Sequence, residues 1–151
     1  MSAPDPFLLG LFREELEMHG ATLTDGLLRL EKGPTAKTDI EPLMRAAHSI
    51  KGAARVVGLD PLVTVAHEME EVLVAAGDGR VVLNAARVDQ LLGALDWIQS
   101  VASVPDETLS KGLEACVTQA EGWVQTLKQQ LAAQPQEPPV ASPPLPEPLD
   151  Q

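Results

Sequence analysis

The 151-residue chain has no tyrosine, and its two phenylalanines and two tryptophans make aromatic residues only 3% of it. One cysteine, Cys116, cannot form an internal disulfide. The N-terminus MSAPDPFLLGLFREE lacks both a basic stretch and a long apolar stretch, so it does not read as a secretory leader. Together these absences fit a reducing cytoplasm. No apolar run approaches the roughly 18 residues of a membrane span, which excludes membrane insertion. Cations are scarce: 11 Lys and Arg stand against 22 Asp and Glu, a net charge of −11. Such a chain repels a phosphate backbone, and nucleic acid is excluded as partner. Gly-rich phosphate loops, Walker sequences and Ser/His/Asp constellations are also missing, and the length leaves no room for an ATP-binding kinase core.

Leucine (22) and alanine (19) dominate, the residues that lose least on entering a helix. The composition predicts an all-α domain, and the periodicity divides it into five amphipathic segments. Asp5-Pro6 opens a first helix carrying Leu9, Phe12, Leu16, Leu23, Leu27 and Leu30, to about Glu31 and the stop at Gly33-Pro34. Thr38-Asp39 with Glu41 predicts a second helix from near Ile40, with Pro42 in its first turn, an apolar stripe through Leu43, Ala47, Ile50 and Ala54, and Gly58 at its end. Asp60-Pro61 caps a third, carrying Leu62, Val65, Met69, Val72 and Ala76 to Gly77. Asn84 caps a fourth, with Val88, Leu91, Leu95 and Ile98 inward, ending before Pro105. A fifth runs from Asp106 to Ala133. Short connections make the first four an antiparallel up-and-down four-helix bundle, with the fifth packed alongside. Seven of thirteen prolines lie between Pro135 and Pro148. Residues 1–133 therefore read as the helical domain and 134–151 as a flexible Pro-rich linker, so the chain reads as the N-terminal piece of a longer protein.

One segment departs from the acidic background. Between Pro42 and Leu59 there is no Asp or Glu, while Arg45, Lys51 and Arg55 are basic and His48 lies among them. On a helix, Met44, Arg45, Lys51 and Gly52 are the neighbours of His48, with Arg55 one further turn on. Gly52 in mid-helix costs about 1 kcal/mol relative to Ala, and close approach by another protein is a reason for it. In the third helix His67 and Glu70, three apart, share a face. With the second and third helices antiparallel about Gly58 to Pro61, His48 lies about ten residues before the turn and Glu70 about ten after it, so the two side chains are expected to meet. A carboxylate on one imidazole nitrogen fixes the tautomer and leaves the other nitrogen free as a nucleophile, as phosphoryl transfer requires. Lys51 beside it favours phosphoryl charge.

The run Arg45-Ala46-Ala47-His48-Ser49-Ile50-Lys51-Gly52, followed by His67-Glu68-Met69-Glu70, resembles the histidine-phosphotransfer domain that begins CheA-type chemotaxis histidine kinases. The resemblance implies that His48 is the phosphoacceptor, that Glu70 orients it, and that Lys51 and His67 complete the polar network. Arg45, Gly52 and Arg55 then lie on the surface that docks a partner. It further implies a kinase core, in the same polypeptide or its dimer partner, that phosphorylates His48 from ATP, and a response-regulator receiver domain whose aspartate takes the group. ATP and Mg²⁺ belong to those domains, and this one is expected to bind no cofactor. After Gly52 the family often has small residues and glycine, whereas Ala53-Ala54-Arg55-Val56-Val57 follows here. The variant is similar to hybrid kinases of Wsp-like surface-sensing pathways, and Arg55 is expected to influence receiver choice.

Other readings compete. A helical docking module without covalent chemistry has the same composition, and a stand-alone phosphotransfer protein of a multistep relay has the same motif. Di-iron bundles need Glu-x-x-His twice with two further glutamates, and the single inverted His67-x-x-Glu70 does not supply that, so no metal is expected. His19 reads as packed or hydrogen-bonded, Cys116 and Trp123 as core, and Trp97 as partly buried.

Overall fold

A carboxylate at the start of the chain sets the first helix: Asp5 accepts from the backbone N–H groups of Phe7 and Leu8 at 2.8 and 3.3 Å, and Pro6, with no N–H to leave unpaired, follows it. The computed structural model describes residues 4–32 and 36–132. Among them are five helices and no strand: α1 (Pro6–Leu30), α2 (Lys37–Val56), α3 (Asp60–Gly77), α4 (Ala85–Ala102) and α5 (Asp106–Ala132). The expected stop at Gly33-Pro34 and the expected linker at 134–151 lie outside the described residues.

Three boundaries differ from the sequence expectation. α2 starts three residues early because Asp39 reaches back, its Oδ2 accepting from the Ala36 N–H at 3.2 Å. A carboxylate in the first turn also suits the positive end of the helix. Pro42 therefore lies in the second turn, where it removes a backbone donor. Buried Ile40 and Leu43 flank it and hold the helix through that gap. α3 takes Asp60 as its first residue and has no side-chain cap. Leu59 is fully buried and its carbonyl accepts from Leu62 and Val63 at 2.9 and 3.0 Å, so packing, rather than the Asp60 carboxylate, fixes the turn. Gly58 makes that turn possible with φ +75°, a conformation that favours glycine. α3 runs through Gly77, its left-handed residue being Gly79 with φ +79°, and in its last turn Ala75 is buried instead of Ala76.

α1 packs on α2 and α4, and α3 packs on the same two, so the first four helices close a ring around one core. Connections of three residues, 57–59 and 103–105, reach on the order of 10 Å. α3 and α4, of 18 residues each, are about 27 Å long, so neighbours joined this way run antiparallel. The core takes Phe12, Leu16, Leu23 and Leu27 from α1, Ile50 and Ala54 from α2, Leu62, Val65 and Met69 from α3, and Leu91, Leu95 and Ile98 from α4. Each of the larger side chains contributes about 1.5–3 kcal/mol by leaving water.

α5 lies against α3 and α4. Leu109, Leu113, Ala120 and Leu127 are buried there, and Cys116 and Trp123 are half-buried rather than fully inside. Trp123 sits so close to α4 that a Cβ at Gly93 would lie 2.7 Å from its ring, which accounts for a glycine in mid-helix. Trp97 Nε1 donates across the same seam to Gln119 Oε1 at 2.8 Å. Two arginines fix the ends of α5. Arg13 of α1 donates to the carbonyls of Ala102 (2.6 Å) and Val104 (2.8 Å) and to Asp106 Oδ1 (2.8 Å). Arg87, only 7% exposed, donates to the carbonyls of Val82 (2.9 Å) and Gln130 (3.0 and 3.3 Å). The latter is a cation at the negative end of a helix.

Candidate functional site

The turn at Gly58 folds α3 back along α2 and brings together the two side chains expected to meet. His48 Nδ1 lies 3.0 Å from Glu70 Oε2. The other carboxylate oxygen, Oε1, lies 2.7 Å from Lys51 Nζ. The three groups are not equally accessible. The His48 side chain is 66% exposed, against 17% for Glu70 and 12% for Lys51. A carboxylate bridging an imidazole and an ammonium thus forms a half-buried base, and the imidazole alone stands out into solvent.

Burial by itself raises the Glu70 pKa; the hydrogen bonds and charges of Lys51 and His48 outweigh it and hold the carboxyl below its ordinary value. The group is ionised at neutral pH and acts only as an acceptor. In the neutral ring of His48 the hydrogen therefore resides on Nδ1, and the lone pair belongs to Nε2, on the outward side. Lys51 was expected to serve phosphoryl charge directly. In the structure its ammonium is placed on Glu70, 2.7 Å from Oε1.

Gly52 follows Lys51, and a Cβ built on it meets no atom within 4 Å. Nothing inside the chain requires a glycine there. Arg45 and Arg55 are exposed on either side along α2. His67 is not brought into the cluster: its Nε2 lies 4.0 Å from Glu71 Oε2, and its side chain lines a groove between α3 and α5. The three-residue offset from Glu70 rotates it about 60° around the helix, toward α5. His19 bonds Glu15 at 3.1 Å within α1. Burial raises the pKa of the Cys116 thiol, away from the reactive thiolate. No sequence motif marks the α3–α5 groove, on whose α5 side Val117 is apolar yet 44% exposed. Among the described residues no helix is long and apolar enough to cross a membrane.

Comparison with known proteins agrees with this geometry. The family model of the Hpt domain matches residues 8–101. The chemotaxis protein CheA of Borreliella burgdorferi is 34% identical over 97 residues, 64% of this chain and 11% of that protein. CheA of Listeria monocytogenes is 31% identical over 96 residues, 64% of this chain and 16% of the relative. CheA of Bacillus subtilis is 33% identical over 93 residues, 62% and 14% respectively. The chain thus corresponds to a small fraction of the length of these relatives. Among solved structures, the phosphorylated P1 domain of CheA3 in complex with CheY6 from R. sphaeroides superposes with a TM-score of 0.68 at 26% identity, covering 83% of this chain and 95% of that one. On the match to its bundle helices and to these relatives, the chain belongs to the Hpt domain family and is of the CheA type.

Proposed function

We propose that the chain is a phosphotransfer module in which His48 takes a phosphoryl group from ATP held by a separate kinase core and gives it to an aspartate of a receiver domain. The observation that carries this reading is the division of the His48 ring, with Nδ1 on the Glu70 carboxylate at 3.0 Å and Nε2 open. In the first step the Nε2 lone pair forms a bond to the γ-phosphorus while the bond to the bridging oxygen breaks and ADP leaves. The Nδ1 hydrogen stays in place, and the ring gains positive charge as the bond forms. Glu70 is positioned to stabilise that charge without moving, the arrangement in which a fixed carboxylate is most effective. In the second step an aspartate oxygen attacks the phosphorus, the N–P bond breaks and the ring returns to neutrality. Chemistry of this kind depends mainly on positioning and electrostatics.

Each remaining residue has a place in the scheme. Lys51 holds the second oxygen of Glu70 and keeps the carboxylate ionised and oriented. Gly52 leaves open space beside the acceptor nitrogen, and the cations Arg45 and Arg55 flank an approach for a partner bearing an acceptor carboxylate. The kinase core belongs to the same polypeptide or its dimer partner, a reading supported by the much greater length of the CheA relatives. ATP and Mg²⁺ are handled there and in the receiver, and the setting is cytoplasmic.

The test is to incubate the purified chain with ATP, Mg²⁺ and a CheA-type kinase core, beside His48→Gln, and to look for an acid-labile, base-stable phosphoryl adduct. The wild type is expected to carry it and the variant to carry none. No adduct with the cognate kinase core would leave a helical docking module without covalent chemistry as the better account.

A further inference from the structure

An open groove of about 680 Å³ runs between the first half of α3 and the second half of α5. Its floor is apolar, with Val63, Val117 and Val124, and charges of both signs stand around it, Arg55 and Lys128 against Asp60, Glu68 and Glu121. It is continuous with the surface that bears the phosphoacceptor. Arg55 lies two turns beyond His48 on the same face of α2, about 10 Å along the axis, and His67 lies one turn before Glu70 on α3. The groove therefore begins where the His48 cluster ends.

The size of a specific contact makes this continuity consequential. A partner that seats stably over His48 covers about 800 Å² of this chain, a patch on the order of 30 Å across. The imidazole, Gly52 and the flanking arginines fill only part of such a patch. Interfaces have an apolar centre and a polar rim, and the α2 surface beside His48 offers polar and basic groups. The α3–α5 groove supplies the missing apolar part.

The identity of the occupant follows from how each partner arrives. A kinase core joined to the module by the chain acts at a high effective concentration and needs little docking affinity. A receiver comes by diffusion and must be held by surface alone. α5 also lies beyond the segment matched by the Hpt family model, so the wall it contributes is outside what that model describes and suits a choice among receivers. We propose that the α3–α5 groove is the receiver-selecting part of the docking surface, taking an apolar side chain of the receiver domain between Val63 and Val117 while the receiver's aspartate faces His48. This rests on the phosphotransfer reading.

Two exposed positions test it without touching the core or the His48 cluster. Thr64→Trp fills the groove from α3, and Val117→Gln removes apolar surface from α5. Each is placed on the His48→Gln chain, and binding to the CheY-type receiver domains of the same organism is measured one by one by titration calorimetry, with thermal melts confirming the fold. At least one receiver is expected to bind the His48→Gln chain, and each groove variant is expected to weaken that binding about tenfold or more. In the His48-containing chain the same variants are expected to change phosphorylation by the kinase core less than twofold. Unchanged receiver affinity in both variants, or no receiver that binds at all, overturns the proposal. Failure of the underlying reading is separable: absence of an adduct on the wild type, with receiver binding still sensitive to both variants, removes the chemistry and keeps the groove.

Discussion

The His48 cluster and the α5 seam are both polar arrangements between helices, and they differ in what they leave open. At the seam, Arg13 and Arg87 direct their donors to carbonyls and to Asp106, and the Trp97 indole N–H finds Gln119. At the site, the oxygens of Glu70 are held by His48 and Lys51, yet the imidazole turns its second nitrogen to water. A buried donor left without a partner costs about 1–3 kcal/mol, so an inward-facing polar group is completed within the fold. The His48 ring escapes that constraint because it is exposed. The contrast separates polar groups completed within the fold from the one left accessible at its surface.

The sharpest way to break this contrast is to remove the orienting carboxylate alone. Glu70→Ala is expected to slow phosphorylation of His48 by roughly ten- to a hundredfold, with helical content by circular dichroism unchanged; an unaltered rate would remove its orienting role. Gly52→Gln places a long side chain in the open space beside the ring. Phosphoryl transfer to a receiver should fall about tenfold, while melting stays close to wild type because no internal atom lies within 4 Å of the new Cβ. Normal transfer would sink the argument for close approach. At the seam the pattern should reverse. Arg87→Leu leaves the Val82 and Gln130 carbonyls without their donor, so stability should drop by roughly 1–3 kcal/mol in urea unfolding, with phosphorylation of the folded protein unchanged. A stable variant would show that the buried guanidinium does not anchor α5.

The smallest expected effect is one of pH. The Glu70 carboxyl is held below its ordinary value of 4.5 in the folded chain, so on acidification the unfolded chain takes up the proton first. The stabilising contribution is complete above that value and is lost as pH falls through the lower folded one. The difference in melting temperature between wild type and Glu70→Gln is therefore expected to be constant near neutrality and to shrink below about pH 4.5. A gap that persists unchanged into acid would contradict the depressed pKa.

Much of the site was legible because one turn governs it. Gly58 marks the reversal, and His48 and Glu70 are nearly equidistant from it, so equal counting along two helices predicts their contact. The start of α2 was harder, since Thr38-Asp39 reads equally well as a cap or as a first turn, and only the bond back to Ala36 decides. His67 shows the limit of spacing arguments: a three-residue step keeps it near Glu70 in height while turning it toward α5. Arg13 and Arg87 left no trace in the pattern. They bind main-chain carbonyls as many as 91 and 43 residues away, and a carbonyl belongs to every residue, so no sequence motif announces that pairing.

The seam has a spectroscopic consequence. Its two indoles, Trp97 and Trp123, are the only tryptophans, and the chain has no tyrosine to add emission. One touches Gln119 and the other Gly93, so both chromophores watch the contact between α4 and α5. Intrinsic fluorescence of this protein is thus a native gauge of whether α5 is seated, built into the molecule without any label.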